Sequence, residues 1–213
     1  FAHSRNSSLT IAVVGASRPS SGSSSTNNFS LVDAIVQAEQ DGFASCWLAQ
    51  IFAHDALTAI ALAGQRTSRM EIGTAVVPTY PRHPHSLAQQ AATVNVAIGH
   101  RLALGVGRSH QIVIESMFGI AYEKPITHMR EYLTVVRDLV NTGKCSFQGK
   151  MYRVNAPLEV PDGKPFPILV GALMPKMLEL FASVLPTPVT IAVLVDADSN
   201  VHPRMWQALG LAA

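Results

Sequence analysis

MEIGTAVVPTYPRHP (Met70–Pro84) and, one helix later, RLALGVGRSH (Arg101–His110) are the stretches that decide the fold. Each is an apolar run of strand length that ends in a loop of small, polar and basic residues. Runs of four to eight apolar residues bounded by Gly and Pro suit strands covered on both faces, as in a parallel sheet. Two such runs separated by a helix read as successive βα units. In βα barrels the chemistry collects at the C-terminal ends of the strands. The loops after Val77 and Gly107 are therefore the candidate site, and their small and basic residues suit an anionic cofactor.

The rest of the chain repeats the pattern. Leu9–Gly15 reads as a first strand, and Ala16–Asn28 as a Ser-rich loop, either a lid or plain disorder. Ser30–Gln40 carries Leu31, Ala34, Ile35 and Ala38 at helical spacing, with Asp41-Gly42 as its stop. Phe43–Ala49 is the second strand, Asp55 a cap for the helix Ala56–Gln65, and Met70–Val77 the third strand. Ser86–Ala97 is helical and Leu102–Gly107 is the fourth strand. Thr127–Asn141 has the clearest apolar stripe, namely Met129, Leu133, Val136, Leu139 and Val140, with Gly143 closing it. Lys144–Val154 alternates around Gln148-Gly149-Lys150 and reads as an appended hairpin. Pro165–Leu173 is the fifth strand, Pro175–Ala182 its helix, and Val189–Val195 a sixth strand.

Strand and helix alternate throughout, which points to an α/β architecture with a parallel sheet and right-handed crossovers. The expected fold is of the (β/α)8 TIM-barrel type. A full barrel needs eight units and roughly 250 residues, whereas this chain of 213 residues supplies five to six, so the barrel is expected to be incomplete.

Bulk properties narrow the function. An apolar share of 48% with 14% charged residues comes without any uninterrupted span of membrane length. Net charge is +2 and the basic residues are scattered, which gives no footprint for nucleic acid. Cys46 and Cys145 sit in unrelated contexts, and Phe1–Ser8 lacks the order of a signal peptide. The expectation is a reduced, cytoplasmic setting.

The pieces AEQDGFASCWLAQ (Ala38–Gln50), HDALTAIALAGQRTSRMEIGTAVVPTYPRHP (His54–Pro84), AQQAATV (Ala88–Val94), RLALGVGRSHQ (Arg101–Gln111), HMREYL (His128–Leu133) and PFPILVGALMPKMLEL (Pro165–Leu180) occur in one order. Together they resemble the luciferase-like monooxygenase superfamily, in its branch of coenzyme F420-dependent oxidoreductases. The resemblance implies one barrel domain over 1–213, truncated or divergent after about residue 181, and a homodimer. It implies hydride transfer between the deazaflavin F420 and a small organic substrate. The alternatives are an FMN-dependent monooxygenase of the same superfamily and a non-catalytic barrel remnant.

The resemblance also assigns residues. Thr74, Ala75, Val76 and Pro78 would adjoin the cofactor ring, with a cis peptide at Ala75–Val76. Gly107, Arg108 and Ser109 would adjoin its phosphate-bearing tail, the glycine for close approach and the arginine for charge. Leu173, Met174 and Lys176 would supply a second contact at the fifth βα loop. Gln50 and His110 are the candidate catalytic groups. Three positions depart from the family pattern. Gln50 stands where some members have His, His110 falls near an acidic position, and Met174 replaces a tight Gly. After Phe181 the segment Ala182–Ala213 follows no family pattern.

Other features have plainer readings beside the functional ones. Gly105–Gly107 fails as a dinucleotide fingerprint because His110 stands where its last Gly belongs. His83-Pro84-His85 lacks the further ligands a metal needs. Arg82 is a candidate for an anionic tail or substrate. His54-Asp55 is either a polar pair at the mouth or, more simply, a helix cap. Trp47 reads as core, and Arg130-Glu131 as a solvated ion-pair face.

Overall fold

The computed structural model describes residues 10–13, 30–50 and 52–171. The expected loop Ala16–Asn28, helix Pro175–Ala182 and sixth strand Val189–Val195 lie outside them, as do Leu173, Met174 and Lys176. In chain order the elements are β1 (Thr10–Val13), α1 (Ser30–Gln40), β2 (Ser45–Leu48), α2 (Ala56–Gly64), β3 (Glu71–Thr74), β4 (Val77–Pro78), α3 (Pro84–Ala97) and β5 (Leu102–Gly107). A π-helical turn Val113–Met117, α4 (Pro125–Thr142), β6 (Lys144–Gln148), β7 (Arg153–Pro157) and β8 (Ile168–Val170) follow.

β1, β2, β3, β5 and β8 pair in parallel, and β4 joins β5 beyond the end of β3. This is a run of βα units filling five strand positions of a barrel, with β3 and β4 sharing one of them. β6 and β7 form the separate antiparallel hairpin, from Lys144 opposite Pro157 to Gln148 opposite Arg153. Its second strand runs three residues past the expected end.

The core lies between the sheet and its helices. Ile35, Leu57, Ile60, Ile72, Leu87, Leu104 and Val136 have no measurable exposure. The stripe expected on α4 packs as read, with Met129, Leu133, Val136 and Leu139 buried. Gly143, at φ +69°, ends that helix in the left-handed conformation a side chain disfavours. On α1 the buried face is rotated from the expected one, because Val32 is buried and Ala34 exposed. Trp47 is half-buried rather than core, and packs over Gly73.

Side chains tie the units together at the end of the sheet where the strands begin. The Glu39 carboxylate, near the end of α1, accepts N–H bonds from Ser68, Arg69 and Met70 at 2.9–3.2 Å. Burial pushes its pKa up, but those backbone donors outweigh it and hold it at about 2. Arg101, just before β5, donates to the carbonyls of Gly64, Thr67 and Met70 and to the Thr67 hydroxyl at 2.7–3.1 Å. A cation at the C-terminal end of α2 also complements the helix dipole.

The expected third strand Met70–Val77 is interrupted, with a cis peptide bond between Ala75 and Val76. Its pairing with β5 stops at Gly73–Ala103 and resumes at Val77–Val106. Across the gap the Thr74 hydroxyl accepts from the Gly105 N–H at 2.9 Å and donates to the Gly105 carbonyl at 2.7 Å. A Cβ on Gly105 would overlap the Thr74 carbonyl oxygen. Gly105→Ala should therefore destabilise the fold by at least about 2 kcal/mol, because a backbone atom has to move. Urea unfolding measures this, and a midpoint matching wild type would show that the contact is not close in solution.

Candidate functional site

A cavity of about 240 Å³ opens at the C-terminal ends of the strands. Its floor is the interrupted strand, with Ala75, Val76 and Pro78 lining it. Gln50 and Ala49 follow β2, Ser109 and His110 follow β5, and Phe52, Val113 and Phe118 complete the wall. Six of the residues assigned from the sequence thus meet in one place: Gln50, Ala75, Val76, Pro78, Ser109 and His110.

The other assigned residues that the structure describes take different positions. Thr74 is buried and serves the strand junction rather than the cavity. Gly107 is buried, and a Cβ there would stand 2.6 Å from a Val76 methyl. Its missing side chain makes room for Val76, a steric reason for the glycine besides the one read from the sequence. Gly171 likewise faces Val76, at 3.3 Å from the Cβ position. Arg108 is half-buried outside the cavity lining, close enough to Tyr80 and Tyr122 for its charge to act on both phenols.

Ser109 has φ +64°, a left-handed conformation uncommon for a residue with a side chain. The reversal turns the chain out of β5, and the His110 carbonyl then accepts the N–H groups of Val113 and Ile114 at 3.0 and 3.1 Å. The π-helical turn starts there, and no sequence period announced it. The His110 side chain is exposed at the cavity rim. Gln50 is partly engaged, its side-chain oxygen accepting the Ala56 N–H at 3.3 Å at the start of α2.

Two charged candidates are committed elsewhere. Arg82 pairs with Asp55 and donates to Gln90 at 2.5 Å, so it braces α2 against α3 instead of reaching for an anion. Asp55 also caps α2 through the Thr58 N–H at 2.9 Å, as the simpler reading had it. Glu131 corrects the expectation of a solvated ion pair. Its carboxylate is buried and accepts the N–H groups of Lys150, Met151 and Tyr152 at 2.8–3.1 Å, clasping the hairpin turn. Burial pushes its pKa up, and the three backbone donors more than reverse that.

Sequence reasoning missed His128. It is 2% exposed, with Nε2 at 2.8 Å from the Thr79 hydroxyl and Nδ1 at 3.2 Å from the Tyr152 hydroxyl. Tyr80 stacks on its ring at 3.8 Å and Tyr122 stacks on Tyr80 at 4.7 Å. Thr79 directly follows Pro78 of the cavity floor, and its N–H donates to the Gly107 carbonyl at 2.8 Å. The histidine thus links the hairpin to the floor. Burial lowers its pKa to about 4, against a smaller opposing pull from Glu131. Among the described residues no group of three or more His, Cys, Asp or Glu side chains is placed to hold a metal. Nor is any described helix long and apolar enough to cross a membrane.

A parallel βα sheet with a cavity at its strand ends, floored by a break in one strand, is the architecture of the βα-barrel class. The chain belongs to the luciferase-like monooxygenase family, whose model matches residues 9–193. It is 32% identical over 175 residues to a 5,10-methylenetetrahydromethanopterin reductase of Archaeoglobus fulgidus, covering 80% of this chain and 49% of that protein. It is 31% identical over 159 residues to an F420-dependent glucose-6-phosphate dehydrogenase of Intrasporangium calvum, covering 67% and 47%. The chain spans about half the length of the curated relatives it matches.

Solved structures agree on the fold. The monooxygenase RslO1 of Streptomyces bottropensis superposes with a TM-score of 0.70 at 22% identity, covering 85% of this chain and 57% of that one. The coenzyme F420-dependent tetrahydromethanopterin reductase of Methanopyrus kandleri gives 0.62 at 23% identity, covering 71% and 49%.

The buried histidine makes a pH prediction. Its folded pKa lies below its unfolded one, so between about 4 and 6.5 the unfolded chain binds a proton that the folded chain refuses. Stability is therefore retained above that window and falls as pH drops through it, by on the order of 3 kcal/mol from this residue alone. Comparing the unfolding free energy of wild type and His128→Asn from pH 7 to pH 4 checks it. The two curves should converge as pH falls, and parallel curves would rule out a neutral buried imidazole.

Proposed function

We propose that this chain forms the cofactor-binding part of an oxidoreductase that moves hydride between the deazaflavin F420 and a small organic substrate. The observation that carries this reading is the floor of Ala75, Val76 and Pro78, small and apolar, with Gln50, Ser109 and His110 around it. The cavity suits a flat ring with one polar edge. At about 240 Å³ it falls below the roughly 300–1,000 Å³ of a whole-ligand pocket, so it fits a ring system and leaves a tail outside. Relatives named for F420 or for methylenetetrahydromethanopterin reduction, at 29–32% identity, favour the deazaflavin over FMN.

When bound, the cofactor supplies the hydride chemistry at its ring. The chain's own residues do the rest. Val76 and Pro78 orient the ring by contact and exclude water from one face. Ser109 and the neighbouring Arg108 suit the negatively charged tail. His110, exposed at the rim on a loop, is the group suited to hold or move the substrate proton, because an imidazole offers both a donor and an acceptor nitrogen. Gln50 lines the cavity, and with its oxygen accepting from α2 the amide N–H groups are its donors for a ligand. The active assembly is read as a cytoplasmic homodimer acting on a small molecule.

Titrating the purified chain with F420 and, separately, with FMN tests the proposal by the absorbance change of each chromophore. F420 should bind at least tenfold more tightly. Ser109→Asp keeps a residue tolerant of the left-handed conformation and adds a charge where the tail would lie. It should weaken F420 binding about tenfold, or roughly 1.4 kcal/mol. Tighter FMN binding would transfer the assignment to a flavin monooxygenase, and binding of neither would leave the barrel-remnant reading.

A further inference from the structure

The wall of the cavity is unusual for a surface. Phe52 and Phe118 are 62% and 41% exposed, and their rings meet edge-to-face with centroids 6.4 Å apart. They come from different loops, Phe52 after β2 and Phe118 at the end of the π-helical turn. Ile112 and Met117, on that same turn, are 66% and 60% exposed. Scattered apolar residues on a surface need no explanation, but two touching, exposed aromatic rings that line one concave mouth mark a binding site.

The turn that carries Phe118 is held rigidly. The Phe118 N–H donates to the Val113 carbonyl at 3.1 Å and the Ile120 N–H to the Ile114 carbonyl at 2.9 Å, while Ile114 itself is fully buried. On the Phe118 side the aromatic wall is therefore a hydrogen-bonded feature and not a frayed loop. Charge is missing from the same place. No Lys, Arg, Asp or Glu is among the described residues that line the cavity; Arg82 is bound to Asp55 and Gln90, and Arg108 lies outside the lining, close to Tyr80 and Tyr122. A phosphorylated or carboxylated substrate would find no fixed counter-charge on these residues.

Resting on the oxidoreductase reading above, we infer that the substrate is an uncharged organic molecule with an apolar body and a single hydrogen-bonding head. The body lies against Phe52 and Phe118. The head, a hydroxyl or carbonyl, meets Gln50 and His110. Contact with aromatic and aliphatic surface makes affinity grow with each methylene of the body, by about 0.8 kcal/mol, or about fourfold.

The test is calorimetric and needs no turnover. The full chain is titrated with 2-butanol, 2-hexanol and 2-octanol, and with glucose 6-phosphate as the anionic counter-probe, while F420 binding is measured alongside. Affinity should rise about fourfold per methylene across the alcohols, and glucose 6-phosphate should bind no better than 2-butanol. The double variant Phe52→Ser/Phe118→Ser changes only exposed side chains and should flatten the series to less than twofold per methylene. Leu62→Ser, which removes a 51%-exposed leucine on α2 away from the cavity, should leave the series as it is. An ungraded series, a series unaltered in the double variant, or preferential binding of the sugar phosphate would each overturn the inference. If the graded series appears but F420 fails to bind, the cofactor reading falls and the apolar occupant stands.

Discussion

The contact between Thr74 and Gly105 governs the geometry of the site. Two parallel strands stay aligned because their backbone groups pair at regular intervals, and a break in one strand leaves its neighbour with an unmet N–H and C=O. An unmet buried backbone group is costly, which is why nearly all are paired in native structures. Here the Thr74 hydroxyl acts as both acceptor and donor and satisfies both Gly105 groups. The strand can then turn aside at Ala75–Val76 and rejoin β5 at Val77 without leaving the Gly105 groups unpaired. Gly105 and Gly107 complete the arrangement, one admitting the Thr74 carbonyl and the other the Val76 side chain. The cavity floor exists because these three residues allow a strand to be interrupted inside a core.

A second support comes from the far side. The Glu131 carboxylate gathers the hairpin turn, Tyr152 of that turn meets His128, and His128 meets Thr79 next to the floor. The hairpin lies outside the sheet, yet it is coupled to the floor through two side chains of α4. Both lie on helix faces that bind polar partners, so α4 packs its apolar stripe on the core and uses its flank to fasten the hairpin. A neutral His128 fits this role, since each ring nitrogen has a hydroxyl partner and the stacked Tyr80 excludes water.

How much of this was legible follows from where the information lies. The α4 stripe was readable because Met129, Leu133, Val136 and Leu139 repeat at the helical period, and the period is a local property. The cap at Asp55 and the stop at Gly143 were readable for the same reason. The break at Ala75–Val76 was not visible to periodicity, because two small apolar residues inside an apolar run look like more strand. Its placement came instead from the likeness of the surrounding motifs to the luciferase-like superfamily. Glu131 and His128 were misread or missed because their partners stand 19 to 49 residues away and are backbone groups or hydroxyls with no pattern of their own. Gly107 has a second reason that the sequence does not announce, the Val76 side chain packed against it. A glycine kept free for a phosphate and a glycine kept free for a valine look alike in sequence, and only the neighbour distinguishes them.

The fate of the charges completes the physical picture. Glu39 and Arg101 bind backbone groups below the sheet, Glu131 binds the hairpin turn, and Arg82 and Asp55 bind each other. Each fixes one element against another, and each is thereby removed from the solvent-facing mouth. What remains around the cavity is apolar surface, an amide, a hydroxyl and an imidazole. Such a lining discriminates by shape and by a few hydrogen bonds, because hydrogen-bonding groups reject the wrong partner more sharply than apolar contact does. The elements that carry that lining are held in place by charges outside it.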